Sequence, residues 1–325
     1  MTAYRSSIAA ALVMIAANSA VAAAEPAADY PVRPLRIVVP AAPGGSTDLL
    51  GRIIAQKLTE AWGRPVIVDN RPGVATNIGT EIVARSQPDG YTLLVTTSSV
   101  AINVSLYPKQ GYHPQRDLAP IALIADSPNF LLVHPAVPAR TVNELVALAK
   151  AKPGQLNYAS SGNGSTNHLA MELLKTTAGI DFVHVPFKGG GPALAELLSG
   201  RMHLMFSVAL NALPQVRAER LRAIGVSGEK RLAAAPDVPT MAESIPGFDV
   251  SVWFGVLAAA GTAKPIVNKL NTELLRIMAL PDVKERLAAV GATATGSSSE
   301  QFASYLASEI GKWAAVIKVS RATAD

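Results

Sequence analysis

Residues 35–48 read LRIVVPAAPGGSTD, an apolar run followed by a glycine turn and the start of a helical pattern. Gly44 and Gly45 allow the backbone to approach a bound group closely. The Ser-Thr-Asp run at 46–48 contains residue types that cap helix ends. The first amides of a helix lack partners and attract anions. This segment therefore predicts a strand, a turn and a helix start that can bind an anion.

A second segment of the same design lies in the other half of the chain. Residues 160–168 read SSGNGSTNH, after a short strand-like run that ends at Ala159 and before a helical pattern over 169–176. A third polar run, Thr97-Ser98-Ser99, closes the strand-like segment that starts at Tyr91. Loops at the carboxyl ends of sheet strands carry ligands in α/β folds, so the loops after Val39 and Val95 are expected to be neighbours. Ser98 and Ser99 are either ligand donors or ordinary residues at a strand end.

Strand-like and helix-like segments alternate along most of the chain, which predicts α/β layers with largely parallel sheets. One series of strands begins at Leu35, and a second begins at Phe130. The last strand-like run, 252–258, is followed only by amphipathic helices, which we expect to complete the first domain. In the final helix the apolar residues recur at helical spacing as Phe302, Leu306, Ile310, Trp313 and Ile317.

This order of segments predicts two domains. Domain 1 comprises residues 25–128 and 252–325, and domain 2 comprises residues 129–251. The chain then crosses between the domains twice, near 127–130 and near 250–254, which leaves a hinged cleft.

The N-terminal segment and the composition limit the classes of protein to which this chain can belong. The first 24 residues, Met1–Ala24, have the positive, apolar and small-residue regions of a cleaved secretory signal, and their apolar core is too short for a membrane span. The chain has no cysteine, which excludes disulfides, thiolate metal sites and a cysteine nucleophile. Its net charge is +5, but the basic residues are scattered rather than clustered, so nucleic acid is not expected as a partner. We expect a freely soluble exported protein.

Catalytic signatures are missing from the sequence. It has no G-x-S-x-G, H-E-x-x-H or phosphate-loop motif, and its five histidines are far apart without metal-ligand spacing. We therefore expect no enzyme activity, metal or cofactor. His168 either binds a ligand or fixes its own loop, and Lys188 either adds positive charge to the cleft or lies at the surface. Asp48 either holds a ligand amine or caps its helix.

The ordered motifs resemble the Bug family, the periplasmic receptors of tripartite tricarboxylate transporters. The resemblance is carried by the secretory leader and by VPAAPGGSTD at 39–48, VDNRPG at 68–73, NIG at 77–79, PDGYTLL at 88–94, NYAS at 157–160 and HVPFKG at 184–189. It implies a two-domain periplasmic binding protein of type II-like fold that closes on a small carboxylate. The loops 44–48 and 160–168 would grip that ligand, and integral membrane transporter subunits would receive it.

Two departures from the family pattern are informative. Val74-Ala75-Thr76 replaces a glycine-rich stretch, and Ser207 stands where many relatives carry Asp. The loss of that carboxylate favours a ligand without an amine. We expect a monomer. A ligand-sensing subunit of a signalling pathway, or a hydrolase or transferase that uses the same cleft, remains an alternative. The predicted ligand-binding residues are Ala42, Gly44, Gly45, Ser46, Thr47, Asp48, Ser98, Ser99, Ser160, Gly162, Gly164, Ser165, Thr166, His168 and Ser207.

Overall fold

The computed structural model describes residues 29–228, 230–248, 250–320 and 322–323, and Pro31–Asp325 forms one compact unit. The predicted signal, Met1–Ala24, lies outside the described residues. The described strands are β1 (Leu35–Val39), β2 (Val66–Asn70), β3 (Thr92–Thr97), β4 (Leu118–Val133), β5 (Asn157–Ser160), β6 (Val183–Pro186), β7 (Leu204–Val208), β8 (Arg222–Val226), β9 (Ser251–Ala259) and β10 (Thr293–Ala294).

Helices follow most of the strands, as the alternating pattern predicts. A short 3-10 helix covers Met241–Glu243. No helix among the described residues combines the length and the apolar character that crossing a membrane requires. The described α-helices are α1 (Ser46–Trp62), α2 (Asn77–Ala84), α3 (Ser99–Leu106), α4 (Pro114–Asp117), α5 (Val142–Ala151), α6 (Thr166–Ala178), α7 (Gly190–Leu198), α8 (Ala209–Arg217), α9 (Lys264–Ala279), α10 (Pro281–Ala288) and α11 (Ser299–Ser320).

The sheet is mixed rather than largely parallel. Its main path runs β2-β1-β3-β9-β4-β7-β5-β6, and β8 and β10 also pair with β4. The pairs β1–β2, β1–β3, β5–β6 and β5–β7 are parallel, whereas every described pair that includes β4 or β9 is antiparallel. The expectation held for strands linked by helices. It failed at β4 and β9, the two long strands that lie between a first strand group, β1, β2 and β3, and a second strand group, β5, β6 and β7.

Strand β4 changes partners along its length. Its first part, Leu118–Pro128, pairs with β9, and its second part, from Asn129 onward, pairs with β7 and β8. Register shifts interrupt its pairing with β9 near Pro120 and Leu123, in agreement with the rule that proline is tolerated at bulges. The change of partners coincides with the predicted boundary at 128/129, which stays a prediction.

Amphipathic helices cover the sheet as their sequence patterns predict. The inward face of α1 is formed by Leu50, Ile53, Ile54 and Leu58, each at most 2% exposed. In α11, the predicted apolar stripe lies on the core: Phe302, Leu306 and Trp313 are buried, and the half-buried Ile310 and Ile317 pack against them. Burial of these side chains is the main source of stability for such a fold.

Candidate functional site

A cavity of about 290 Å³ lies between the two groups of strands. Its walls come from the loops after β1, β2 and β3 on one side and from the loops after β5, β6 and β7 on the other. The lining residues are Pro40, Ala41, Gly45, Ser46, Thr47, Gly73, Val74, Ala75, Thr76, Thr97, Ser99, Tyr107, Asn129, Ser161, Gly162, Asn163, Ser165, Thr166, Asn167, Pro186, Phe187, Lys188, Gly189, Gly190, Ser207, Val208, Asn211 and Val252.

Six helices of the described chain begin at this cavity. Three belong to the first strand group and contribute the first turn of α1, the N-cap of α2 and the first residue of α3. The other three belong to the second group and contribute the first turn of α6, the first residue of α7 and the N-cap of α8. The unpaired amides at a helix start carry partial positive charge, so the arrangement favours an anion from both sides.

The side chains at the cavity wall carry little charge. Among the described lining residues, Lys188 is the single charged one, and it is exposed. The wall is otherwise formed by backbone, hydroxyl and amide groups together with apolar side chains such as Val74 and Val208. Such a wall can bind a carboxylate through neutral donors, but it offers no acidic partner to a ligand amine.

Asp48 lies behind this wall. Its carboxylate accepts hydrogen bonds from the backbone N–H of Gly44, the amide of Asn70 and the guanidinium of Arg52, each at 3.0 Å. Burial acts to raise the pKa of Asp48, but these hydrogen bonds outweigh burial and hold the pKa below its usual value. The carboxylate therefore stays ionised and fixes the turn that precedes α1, although α1 has no side-chain cap hydrogen bond of its own.

The structure places eight of the predicted residues at the cavity wall and seven outside its lining. At the wall are Gly45, Ser46, Thr47, Ser99, Gly162, Ser165, Thr166 and Ser207. Outside the lining are Ala42, Gly44, Asp48, Ser98, Ser160, Gly164 and His168. Several of the second set hold the loops of the first: for example, Oγ of Ser160 accepts a hydrogen bond from the backbone N–H of Gly162 at 3.1 Å.

His168 fixes its own loop in this structure. Its Nδ1 accepts a hydrogen bond from the backbone N–H of Gly164 at 3.1 Å. Its ring stacks on His184 with centroids 4.3 Å apart, and His184 stacks on Tyr158 at 4.7 Å. Burial lowers the pKa of His168 to about 4 and that of His184 to about 3, so both rings are neutral at physiological pH.

The sequence reasoning missed a large part of the wall. It gave no ligand role to turn 73–76, to Tyr107 or to Asn129. Turn 73–76 follows β2, so the rule that placed the loops after β1 and β3 beside the ligand could also have identified it. Asn129 could not be found in this way, because it lies within β4, where that strand changes partners. The other lining residues outside the predicted set include Ser161, Asn163, Asn167, Asn211, Phe187 and Lys188.

Comparisons with known proteins agree on one family. Residues 50–321 match the model of the tripartite tricarboxylate transporter family receptors. The chain is 37% identical to protein BugT of Bordetella pertussis over 305 residues, which cover 93% of this chain and 94% of BugT.

Two solved structures are also similar over nearly their whole length. The R. palustris protein Rpa4515 with adipate has a TM-score of 0.88 and 35% identity, covering 91% of this chain and 99% of that one. MatC from Rhodopseudomonas palustris with bound malate has a TM-score of 0.85 and 34% identity, covering 89% of this chain and 100% of that one.

Proposed function

Because this chain belongs to the family of tripartite tricarboxylate transporter receptors, we propose that it captures a small carboxylate outside the cytoplasm and delivers it to integral membrane transporter subunits. Two similar proteins hold adipate and malate, which are both dicarboxylates. In this proposal the receptor acts as a monomer and uses no cofactor. Its two domains, 25–128 with 252–325 and 129–251, close on the ligand.

The convergence of six helix starts on one cavity is the observation that carries this proposal. Hydrogen bonds to a charged group contribute about 1.5–3 kcal/mol each. Micromolar affinity corresponds to about 8 kcal/mol, to which an association cost of at least about 4 kcal/mol must be added. About five or six such bonds, assisted by the helix dipoles, are therefore sufficient without an arginine. The cavity, at about 290 Å³, suits a small acid.

We assign the grip on the carboxylate to groups from both sides of the cavity. Gly45, Ser46 and Thr47 begin α1 on one side, and Ser165 and Thr166 begin α6 on the other. Ser99, Gly162 and Ser207 add hydroxyl and backbone groups to the wall. Ala42, Gly44, Asp48, Ser98, Ser160, Gly164 and His168 act by holding these loops.

The lack of acidic side chains among the described lining residues supports a ligand without an amine. A bound ammonium group would lose its hydration among helix starts of positive potential, and no described lining residue carries a carboxylate to compensate it. Ser207 lines the cavity at the position where many relatives carry Asp. The ligand proposed here is therefore an amine-free dicarboxylate.

The matched pair succinate and aspartate tests this function, since the two acids differ by one amine. Any co-purified acid is first removed, and native mass spectrometry checks its removal. Calorimetry should then show that the protein binds succinate with an affinity at least about tenfold higher than its affinity for aspartate. The substitution Ser207→Asp should reverse that order, whereas Ser199→Asp, at the exposed end of α7, should leave it unchanged. Preference of the unsubstituted protein for aspartate would contradict the amine-free ligand, and failure of all carboxylates to bind would contradict the receptor.

Recovery of the ligand separates a receptor from an enzyme. A receptor releases the bound acid unchanged after prolonged incubation, whereas a hydrolase or transferase would release a product of different mass. Closure of the two domains should also reduce the radius of gyration in solution when the ligand is added. A sensor subunit would bind and close in the same way, so uptake of the acid by cells with and without the receptor is the measurement that distinguishes it from a transport receptor.

A further inference from the structure

One cavity wall contains a backbone turn that ordinary side chains disfavour. After Gly73, the three residues Val74, Ala75 and Thr76 have φ angles of 42°, 50° and 79°. Left-handed backbone is uncommon outside glycine and is least favourable for β-branched residues such as Val and Thr. All three residues line the cavity. Strain of this kind persists only where neighbouring groups hold the backbone in place.

The side chain of Asn103 holds this turn. Asn103 lies in α3 and is fully buried, and its Nδ2 donates to the carbonyl of Ala75 at 2.7 Å and to Oδ1 of Asn77 at 2.9 Å. The Tyr112 hydroxyl donates to the same Oδ1 at 2.8 Å. The carbonyl of Ala75 can only accept a hydrogen bond, so the amide of Asn103 must present its NH₂ group toward the turn.

The other face of Asn103 supports the opposite wall of the cavity. Its Oδ1 has no hydrogen-bond partner among the described residues and lies toward Gly164. A Cβ added to Gly164 would be 3.0 Å from this oxygen and 2.6 Å from Cδ2 of Leu106, so the loop that begins at Gly162 rests directly on α3. The Tyr107 hydroxyl also donates to the carbonyl of Asn163, at 3.4 Å.

We infer that Asn103, which does not itself line the cavity, is the positioning residue that keeps turn 73–76 and loop 162–164 in their binding geometry. Without its NH₂ group, the carbonyl of Ala75 loses this donor, Oδ1 of Asn77 keeps only that of Tyr112, and the strained turn relaxes toward negative φ. That relaxation moves Val74 and Thr76 at the wall. The effect on the ligand then arises through the two loops, one in each strand group.

The substitution Asn103→Asp tests this role because it preserves shape and removes the donors. Asn271→Asp is the matched control: Nδ2 of Asn271 donates to the carbonyls of Ile121 and Ser297 at 2.7 and 2.8 Å, at a place that does not line the cavity. In the ligand-free protein, hydrogen exchange of residues 71–80 and 160–168 should be at least about tenfold faster in Asn103→Asp. The control should leave both segments unchanged. Equal exchange in the two variants would overturn the inference.

Affinity gives a second readout, which rests on the proposed function. The probe is whichever of succinate, malate, adipate and citrate raises the melting temperature of the unsubstituted protein most. Asn103→Asp should weaken its binding at least about tenfold, and Asn271→Asp should weaken it less than about twofold even where the two variants lose the same thermal stability. Equal affinities for the two variants would contradict the positioning role.

Two provisions keep the test decisive. If Asn103→Asp does not fold, Asn103→Ser, which retains one hydroxyl donor, is measured in the same way, and it should show the same local exchange pattern at smaller amplitude. If none of the four acids binds the unsubstituted protein, the proposed function fails, and the exchange measurement alone still decides whether Asn103 holds the two loops.

Discussion

The backbone N–H of Ala42 donates a hydrogen bond to the carbonyl of Lys188 at 3.3 Å and so joins the loop after β1 to the loop after β6. The next residue, Gly189, has a φ of +133°, and a Cβ at this position would be 3.2 Å from the nitrogen of Ala42. The two strand groups therefore meet at this edge of the cavity with no room for a side chain.

The substitution Gly189→Ala should weaken carboxylate binding at least about tenfold, because the methyl group separates the two loops. Gly179→Ala is the control, since Gly179 also has a positive φ, +62°, but a Cβ there meets nothing within 4 Å. Gly179→Ala should lose about 1 kcal/mol of stability from backbone strain, and Gly189→Ala should lose more, because its φ of 133° and ψ of 169° lie in a region that essentially only glycine adopts. Calorimetry then separates them, and equal affinities would show that contact between the loops is not needed for binding.

Lys188 is expected to attract the ligand rather than to orient it. Because its side chain is exposed, a charge there acts mainly on the association rate and is screened by salt. Lys188→Gln should reduce the association rate for a dicarboxylate about three- to tenfold at low ionic strength and much less at high ionic strength. Stopped-flow measurements at several salt concentrations check this, with the exposed Lys150→Gln as control. An unchanged rate at low salt would exclude Lys188 from ligand capture.

Acid should destabilise the protein through its buried imidazoles. Because the folded pKa of His168 is about 4 and the unfolded value about 6.5, the unfolded chain binds more protons between these values. Stability is therefore complete above about pH 6.5 and is lost as the pH falls toward 4. From pH 6.5 to 5 this group should account for about 1–2 kcal/mol.

The variant His168→Gln isolates this contribution, since the Gln carbonyl can still accept from the N–H of Gly164. It should unfold at a lower temperature than the unsubstituted protein at pH 7.5 but lose less of its melting temperature between pH 7.5 and 5. The pH dependence of the melting temperature that remains in the variant reports the other titrating groups. If the melting temperatures of the two proteins fall equally between pH 7.5 and 5, His168 is ruled out as a source of acid sensitivity.

The sequence predicted those parts of the site that follow local rules. Helices from about Asp48 and Leu169 could be predicted because glycine and capping residues follow an apolar strand, and the structure begins these helices slightly earlier, at Ser46 and Thr166. Strands linked by helices were parallel as expected. These features depend on residues that are neighbours in the chain.

Features that depend on distant contacts were not predictable in the same way. The central strand β4 was expected only from Phe130, because Pro120 and Pro128 interrupt its earlier part, whose pairing is provided by β9. Helix α3, which carries Asn103, was not predicted after the polar run at Ser99. From sequence alone, His168 could either bind a ligand or fix its own loop. Only its contact with Gly164 in the structure distinguishes these alternatives.

Helix α11 is held on the sheet in part by the side chain of Glu309. The carboxylate of Glu309, 4% exposed, accepts hydrogen bonds from the indole N–H groups of Trp253 on β9 and Trp313 on α11, both at 2.9 Å. Removal of this acceptor leaves two buried donors unsatisfied, and hydrogen bonds to a charged group contribute about 1.5–3 kcal/mol each. Glu309→Ala should therefore reduce the free energy of unfolding by about 3 kcal/mol or more.

Chemical denaturation followed by tryptophan fluorescence measures this effect directly, because two of the three tryptophans in the chain share Glu309. Glu309→Gln retains one oxygen acceptor and should fall between the alanine variant and the unsubstituted protein. Glu300→Ala, in the exposed first turn of the same helix, should change stability by less than about 1 kcal/mol. A Glu309→Ala variant as stable as Glu300→Ala would mean that apolar burial alone holds α11 in place.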